Sequence, residues 1–372
     1  MWTLVPYCSS INVVGSRWVY KIKRRADGSI DRYKARLIAR GFTQQEGIDY
    51  LETFSPVVKP ATVRLVFTIV VSRGWFIHQL DVHNAFLNGI LLEKVYMEQP
   101  PGFSHPTLPS NVCHLHKSIY GLKQAPRAWY TRLSDYLISL GFRASNADPS
   151  LFIYSDGHDL IYLFVYVDDL LFTGNNSTLL RHLITLLNSK FKIRDLGSVH
   201  YFLGIEVTKT SMGLMLSQHK YTLDIIQRAD MSSCKAVDTP ASSSSKLLLS
   251  SNTQYSDPTR YRQIVGALQY LIFTRPDICY AINKVCQFMH SPTDGHWSLV
   301  KRIVRYLQGK ASYGLHITRG SSLSLHGFID ADWASSLDDR KSTGGYLVYL
   351  GRTPISWKSG KQRTVARSST EA

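Results

Sequence analysis

The chain has 372 residues, room for two or three domains at roughly 150 residues each, and 44% of them are hydrophobic, which excludes a largely disordered protein. Its 43 Lys and Arg against 27 Asp and Glu leave a net charge of +16, an excess that suits a polyanionic partner, nucleic acid first among them. The five cysteines (Cys8, Cys113, Cys234, Cys279 and Cys286) are odd in number and hold no Cys-x-x-Cys pair, so a disulfide framework is not expected and a reducing compartment fits better.

No basic region followed by an apolar stretch opens the chain, and no secretory signal is read there. Between Arg17 and Arg40 stand nine Lys or Arg against Asp27 and Asp31. This stretch predicts a hairpin: Trp18 to Lys23, a turn at Asp27-Gly28-Ser29, then Arg32 to Ile38. It is either a finger that grips phosphates or a solvated basic face. Strand alternation over Phe76–Val82 places Ile77, Gln79 and Asp81 on one face. Ala125 to Leu140 has helical spacing and Gly141 marks its end. Three further strands follow, Leu151 to Tyr154, Leu160 to Val165 and Leu170 to Phe172, with Asp168-Asp169 at the tight turn between the last two. The run Leu160 to Phe172 is too short to span a bilayer and carries two aspartates. Strands with crossing helices make an α+β layer.

Residues 239–256, with the run Ser242 to Ser245, read as a Ser-rich linker. Three helical stripes follow. Asp257-Pro258 caps the first, with Tyr261, Ile264, Val265, Leu268 and Leu271 on its stripe. Ile278, Ala281, Ile282 and Val285 form the second; Val300, Ile303, Val304 and Leu307 form the third, with Lys301, Arg302 and Arg305 off it. His290 and His296 flank Pro292 and read as loop residues without partners. The tail predicts strands at Leu325 to Ile329 and Tyr346 to Leu350 around a polar turn at Asp338 to Ser342, and it is too short for an independent α/β domain.

The chemistry rests on carboxylates. Asp168 and Asp169 lie between strongly apolar strands, where two adjacent charges are costly. A solvent-exposed turn is the alternative for this pair, since turns favour Asp. Asp81 ends another strand of the same expected sheet. Three convergent carboxylates with no Lys or Arg beside them in sequence call for a hard divalent cation, Mg²⁺ or Mn²⁺, and two such ions would serve an in-line phosphoryl displacement. Cys113, His114 and His116 are too few and too close for a structural zinc site.

Gln79-Leu80-Asp81-Val82-His83-Asn84-Ala85-Phe86-Leu87 and Tyr166-Val167-Asp168-Asp169 resemble the two metal-binding motifs of reverse transcriptases. Tyr120 to Trp129, Phe202-Leu203-Gly204-Ile205-Glu206, Arg32 to Leu37 and Glu52 to Val57 complete a set, in order, that is similar to the polymerase of copia-type LTR retrotransposons. The resemblance runs from Trp2 to the end of the chain.

That resemblance implies a right-hand polymerase: fingers and palm over residues 1–238, the linker 239–256, a helical thumb over 257–318, and a truncated ribonuclease H-like segment over 319–372. It makes Asp81, Asp168 and Asp169 the catalytic metal triad for two Mg²⁺ or Mn²⁺ ions. Phe86 becomes the gate against a ribose 2′-hydroxyl, where the residue alone would equally be a core aromatic. Tyr120 and Gly121 would line the nucleotide pocket; Lys21, Lys34 and Arg36 are candidates for the triphosphate; Phe202, Leu203, Gly204 and Ile205 would grip the primer. The third helix stripe is either a thumb element along the duplex or a solvated face. Asp330 would be the first ribonuclease H carboxylate; the family's next catalytic glutamate is expected just past Ala372, with Glu371 a weaker candidate for that role. The later ones are expected beyond Ala372, so ribonuclease H activity is not expected.

The implied partners are an RNA or DNA template with its primer and deoxynucleoside triphosphates, with no membrane. The place is intracellular: cytoplasmic, in the virus-like particle of an intact element, or nuclear. The competing expectation is a catalytically inactive fragment of such an element that at most binds nucleic acid.

Overall fold

Alternating apolar residues at Leu80 and Val82, Ile161, Leu163 and Val165, and Leu170 and Phe172 build the central sheet of the protein, because each set turns one face of its strand into a common core. In the computed structural model, which describes residues 1–25, 27–242, 253–320, 322–336 and 339–372, six strands pair antiparallel. Their order is Ile193–Ser198, Phe76–Val82, Asp169–Gly174, Asp159–Tyr166, Leu151–Asp156 and Arg143–Ala144. Helices Ala125–Ser139 and Ser177–Phe191 send Trp129, Leu133, Leu137, Leu180, Leu183, Leu187 and Phe191 into the same core. Asn176 starts the second of these helices, its side chain accepting from the amides of Thr178 and Leu179.

The architecture is mixed α/β, with seven α-helices among the described residues. Two compact units divide them: Met1–Val58 with Phe76–Ser198, and Lys59–Trp75 with Val199–Ala372. The first unit holds the central sheet, a four-stranded sheet and the two-stranded basic hairpin Ser16–Arg24/Ile30–Ala39. In that hairpin Lys21 faces Lys34, Lys23 faces Arg32 and Val19 faces Arg36, so one of its faces is cationic.

The second unit holds helix Pro60–Arg73, bracketed by Pro60 in its first turn and by Gly74 in the left-handed conformation. It also contains helices His219–Arg228, Pro258–Leu271, Cys279–Cys286 and Asp294–Gly309 around one core. Two sheets complete it, one of them the meander Leu325–Asp332, Thr343–Leu350 and Thr353–Lys361. Asp257 caps its helix by accepting from the amide of Arg260. Residues 243–252 of the expected linker, and Asp338 of the expected polar turn, lie outside the described residues.

His296 differs from expectation. It is buried at the third position of its helix, forms a reciprocal capping box with Thr293 and stacks on Phe288 at 3.7 Å. Sequence spacing around Pro292 suggested a loop; helix Asp294–Gly309 starts two residues after the proline instead.

Candidate active site

Tyr166 pairs with Asp169 at the end of its hairpin, which leaves a two-residue turn, Val167-Asp168. Asp169 is therefore not in the turn, as its sequence position suggested, but is the first residue of the strand that follows. Such tight turns need a positive φ at the first central position, and Val167 takes it at φ 55° although it is β-branched. Across the sheet Asp169 stands directly opposite Asp81, and the amide of Val82 donates to the carbonyl of Asp168 at 2.8 Å. Strand register thus brings the three aspartates to one end of the sheet.

Among the described residues none of the three aspartates takes part in a salt bridge. Burial first, then the neighbouring charges of Asp168 and Asp81, push the Asp169 carboxyl up to about 6, against the pull of a hydrogen bond from Gln79. The donor set is all oxygen and strongly anionic, which fits a hard divalent cation. It is not a finished cage: among the described residues no group of three or more His, Cys, Asp or Glu is arranged to hold a metal ion.

Phe86 lies in the short 3₁₀ turn Ala85–Asn88 that follows Asp81, its carbonyl bonded by the Ser118 hydroxyl. Its ring meets Tyr120 edge-to-face, centroids 4.9 Å apart, and the Arg36 guanidinium lies 5.5 Å from the Tyr120 centroid. Burial, and then the charge of Asp168, raise the Tyr120 hydroxyl above its ordinary value, with Asp81 adding to this and Arg36 opposing it. Lys34 is held below the usual lysine range by burial and by Arg36, Lys23 and Arg32, while Asp81 acts in the opposite direction. Gly121 (φ 93°) allows the foot of the hairpin to approach: a Cβ there would stand 2.1 Å from the Ala39 carbonyl, and the Ala39 amide donates to Tyr120 at 2.8 Å.

The structure therefore gathers Asp81, Asp168, Asp169, Phe86, Tyr120, Gly121, Lys34 and Arg36 in the first unit. Lys21 is exposed on the same hairpin face, directly across from Lys34. The residues expected at the primer belong to the second unit. There Phe202 and Ile205 pair, and Leu203 and Gly204 form a turn with φ of 51° and 69°. Asp330 lies exposed on strand Leu325–Asp332, opposite Gly345, and Glu371 accepts from the amide of Arg367. Cys113 is fully buried with its thiol pushed up to about 11 by burial, while His114 and His116 touch ring to ring at 4.9 Å. Two contributors carried no expected role: Gln79, and Trp129, whose indole N–H donates to the Val167 carbonyl at 2.6 Å. A lone hydrogen-bond donor on the buried stripe Trp129, Leu133 and Leu137 is the signal that could have singled out the second.

Residues 1–243 match the family described as reverse transcriptase (RNA-dependent DNA polymerase). The chain belongs to this reverse transcriptase family. It is 53% identical over all 372 residues to the retrovirus-related Pol polyproteins from transposons RE2 and RE1 of Arabidopsis thaliana. Over 367 residues, 96% of the chain, it is 40% identical to the Pol polyprotein from transposon TNT 1-94 of Nicotiana tabacum. The relationship to copia-type Pol polyproteins expected from the motifs thus extends over the whole chain. The chain spans about a quarter of the length of these relatives, 26%, 25% and 28%. Among the described residues no helix is long and apolar enough to cross a membrane.

Proposed function

We infer that the chain is an RNA-directed DNA polymerase that adds deoxynucleotides to a primer 3′-hydroxyl. The observation that carries this reading is the register pairing of Asp169 with Asp81, which sets two carboxylates side by side with Asp168 in the adjoining turn. In this reading residues 1–238 supply fingers and palm, 257–318 the thumb, and 319–372 a ribonuclease H-like segment. Asp81, Asp168 and Asp169 hold the metal. Mg²⁺ or Mn²⁺, when bound, supplies the positive charge that activates the primer hydroxyl and offsets charge on the leaving pyrophosphate.

The rest is positioning by the chain's own groups. Lys34 and Arg36, with Lys21 beside them, receive the triphosphate on the cationic face of the hairpin. Tyr120 and Gly121 border the sugar and base. Phe202, Leu203, Gly204 and Ile205 hold the primer end. Phe86, braced by the Tyr120 ring, occupies the volume that a ribose 2′-hydroxyl would need. Replacing Phe86 by valine opens that volume: the preference for deoxy- over ribonucleotides, read as the ratio of kcat/KM values, falls by about 30- to 100-fold. An unchanged ratio assigns Phe86 to the core alone.

The reading is tested by primer extension on an RNA template, with Mg²⁺ and then Mn²⁺. Extension establishes the polymerase. Duplex binding without extension, by chain shown to be folded, leaves a nucleic-acid-binding fragment. In either case binding weakens steeply with salt, because neutralised phosphates release counterions.

A further inference from the structure

The turn that presents Asp168 and Asp169 adopts a costly conformation. Val167 sits in the left-handed region at φ 55°, where a β-branched side chain crowds its own backbone. A residue stays there only when its surroundings overdetermine it. The peptide that matters links Val167 to Asp168: its rotation would swing the Val167 carbonyl and, with it, re-aim the Asp168 side chain.

One side chain grips that carbonyl. The indole N–H of Trp129 donates to it at 2.6 Å, from 38 residues away in sequence. Trp129 is 1% exposed and packs edge-to-face on Phe191, centroids 5.2 Å apart and planes at 88°, which fixes the ring. Its helix is fixed in turn. The start of the helix lies so close to Gly89 that a Cβ there would stand 2.9 Å from the Trp129 nitrogen. The second unit repeats the device independently: Leu203, also left-handed at φ 51°, has its carbonyl bonded by the Tyr270 hydroxyl from helix Pro258–Leu271.

We propose that Trp129 is a positioning residue that holds the Val167–Asp168 peptide in place through its indole N–H and so fixes the aim of Asp168. Its catalytic consequence rests on the polymerase reading above; its structural consequence does not.

The test uses the full chain with two variants. Trp129→Phe keeps a ring against Phe191 and removes the donor. Benzothienylalanine at the same position, with sulfur in place of N–H, keeps the shape as well, so a loss of packing cannot explain its effect. The first readout is amide exchange at Val82, which donates to the Asp168 carbonyl at 2.8 Å. It is expected to quicken at least about tenfold, while the amides of the pairs between Asp159–Tyr166 and Leu151–Asp156 keep their rates. The second readout is primer extension: kcat falls about tenfold with KM for primer–template unchanged, the pattern of an interaction that serves the reacting arrangement rather than binding.

Unchanged protection at Val82 in both variants overturns the proposal, as does a loss spread evenly over the sheet, which marks a packing role only. Absence of extension by the native chain strikes the polymerase reading instead, and the exchange result then decides the positioning role alone.

Discussion

Replacing Asp168 and Asp169 together by asparagine is expected to lower primer extension at least about a thousandfold, some 4 kcal/mol of barrier, without loss of folded protein. The two parts of this result belong together. Asparagine matches aspartate in shape, so strand pairing at Asp169 and Asp81 and the turn at Val167 survive the exchange. What disappears is charge. Burial and two like charges oppose ionisation of Asp169, and no salt bridge relieves it among the described residues. A site that sets carboxylates against one another gives up stability for function. Asp169→Asn alone should therefore raise the thermal midpoint at neutral pH, by about 2–4 °C if the relief is near 1 kcal/mol, while it removes activity. The measurement is thermal unfolding without added metal beside single-turnover extension with it. A midpoint that falls by several degrees would mean that the aspartates are structural and that lost extension reports unfolding.

How far the residues announce this arrangement depends on the range of the forces involved. The basic hairpin is legible because alternation and the Gly28 turn are local, and the structure forms it as Ser16–Arg24 and Ile30–Ala39. The cap at Asp257 is equally local. Helix Pro60–Arg73 is less so: Val63, Val66, Thr68, Ile69, Val70 and Val71 have the propensity of a strand, and burial of Val63, Val66, Phe67, Val70 and Val71 overrides it between its Pro60 and Gly74 brackets. At the site, period-two alternation places Asp81 on a strand face, but which residue faces it follows from strand order and register, which bring Asp169 opposite from 88 positions along the chain. For the same reason Asp169 read as a turn residue. The hold of Trp129 on Val167 is only half legible: a lone N–H on a buried helical stripe marks a donor in need of a partner, but which carbonyl it meets is set by the fold.

The largest effect on stability is expected at the Arg275–Asp277 pair of the second unit. Arg275 is 2% exposed. Its Nε and one terminal nitrogen bond the two carboxylate oxygens of Asp277 at 2.9 and 2.7 Å, and the other nitrogen bonds the Lys310 carbonyl at 2.9 Å. The rings of Tyr306 and Tyr313 lie 5.7 and 5.6 Å from the guanidinium, and the Tyr306 hydroxyl donates to Asp277 at 2.8 Å. The two partners are unequally buried, since the Asp277 side chain keeps about a third of its exposure. Removing the carboxylate (Asp277→Asn) leaves a buried cation without its counter-charge and should cost about 3–5 kcal/mol. Removing the cation (Arg275→Met) leaves a carboxylate that water can still reach, and should cost about 1–3 kcal/mol. Burial works against the Asp277 charge, but the bonds from Arg275 and Tyr306 outweigh it and hold the carboxyl below its ordinary value. The sign follows: a depressed carboxylate stabilises the fold above its unfolded value of about 3.9 and loses that contribution as pH falls further, through the folded value. Acid unfolding below about pH 4 should therefore be shallower in Asp277→Asn than in the native chain. Urea unfolding followed by amide exchange in helix Asp294–Gly309 measures both costs. Equal costs for the two variants would mean that water reaches the guanidinium as freely as the carboxylate, against its burial.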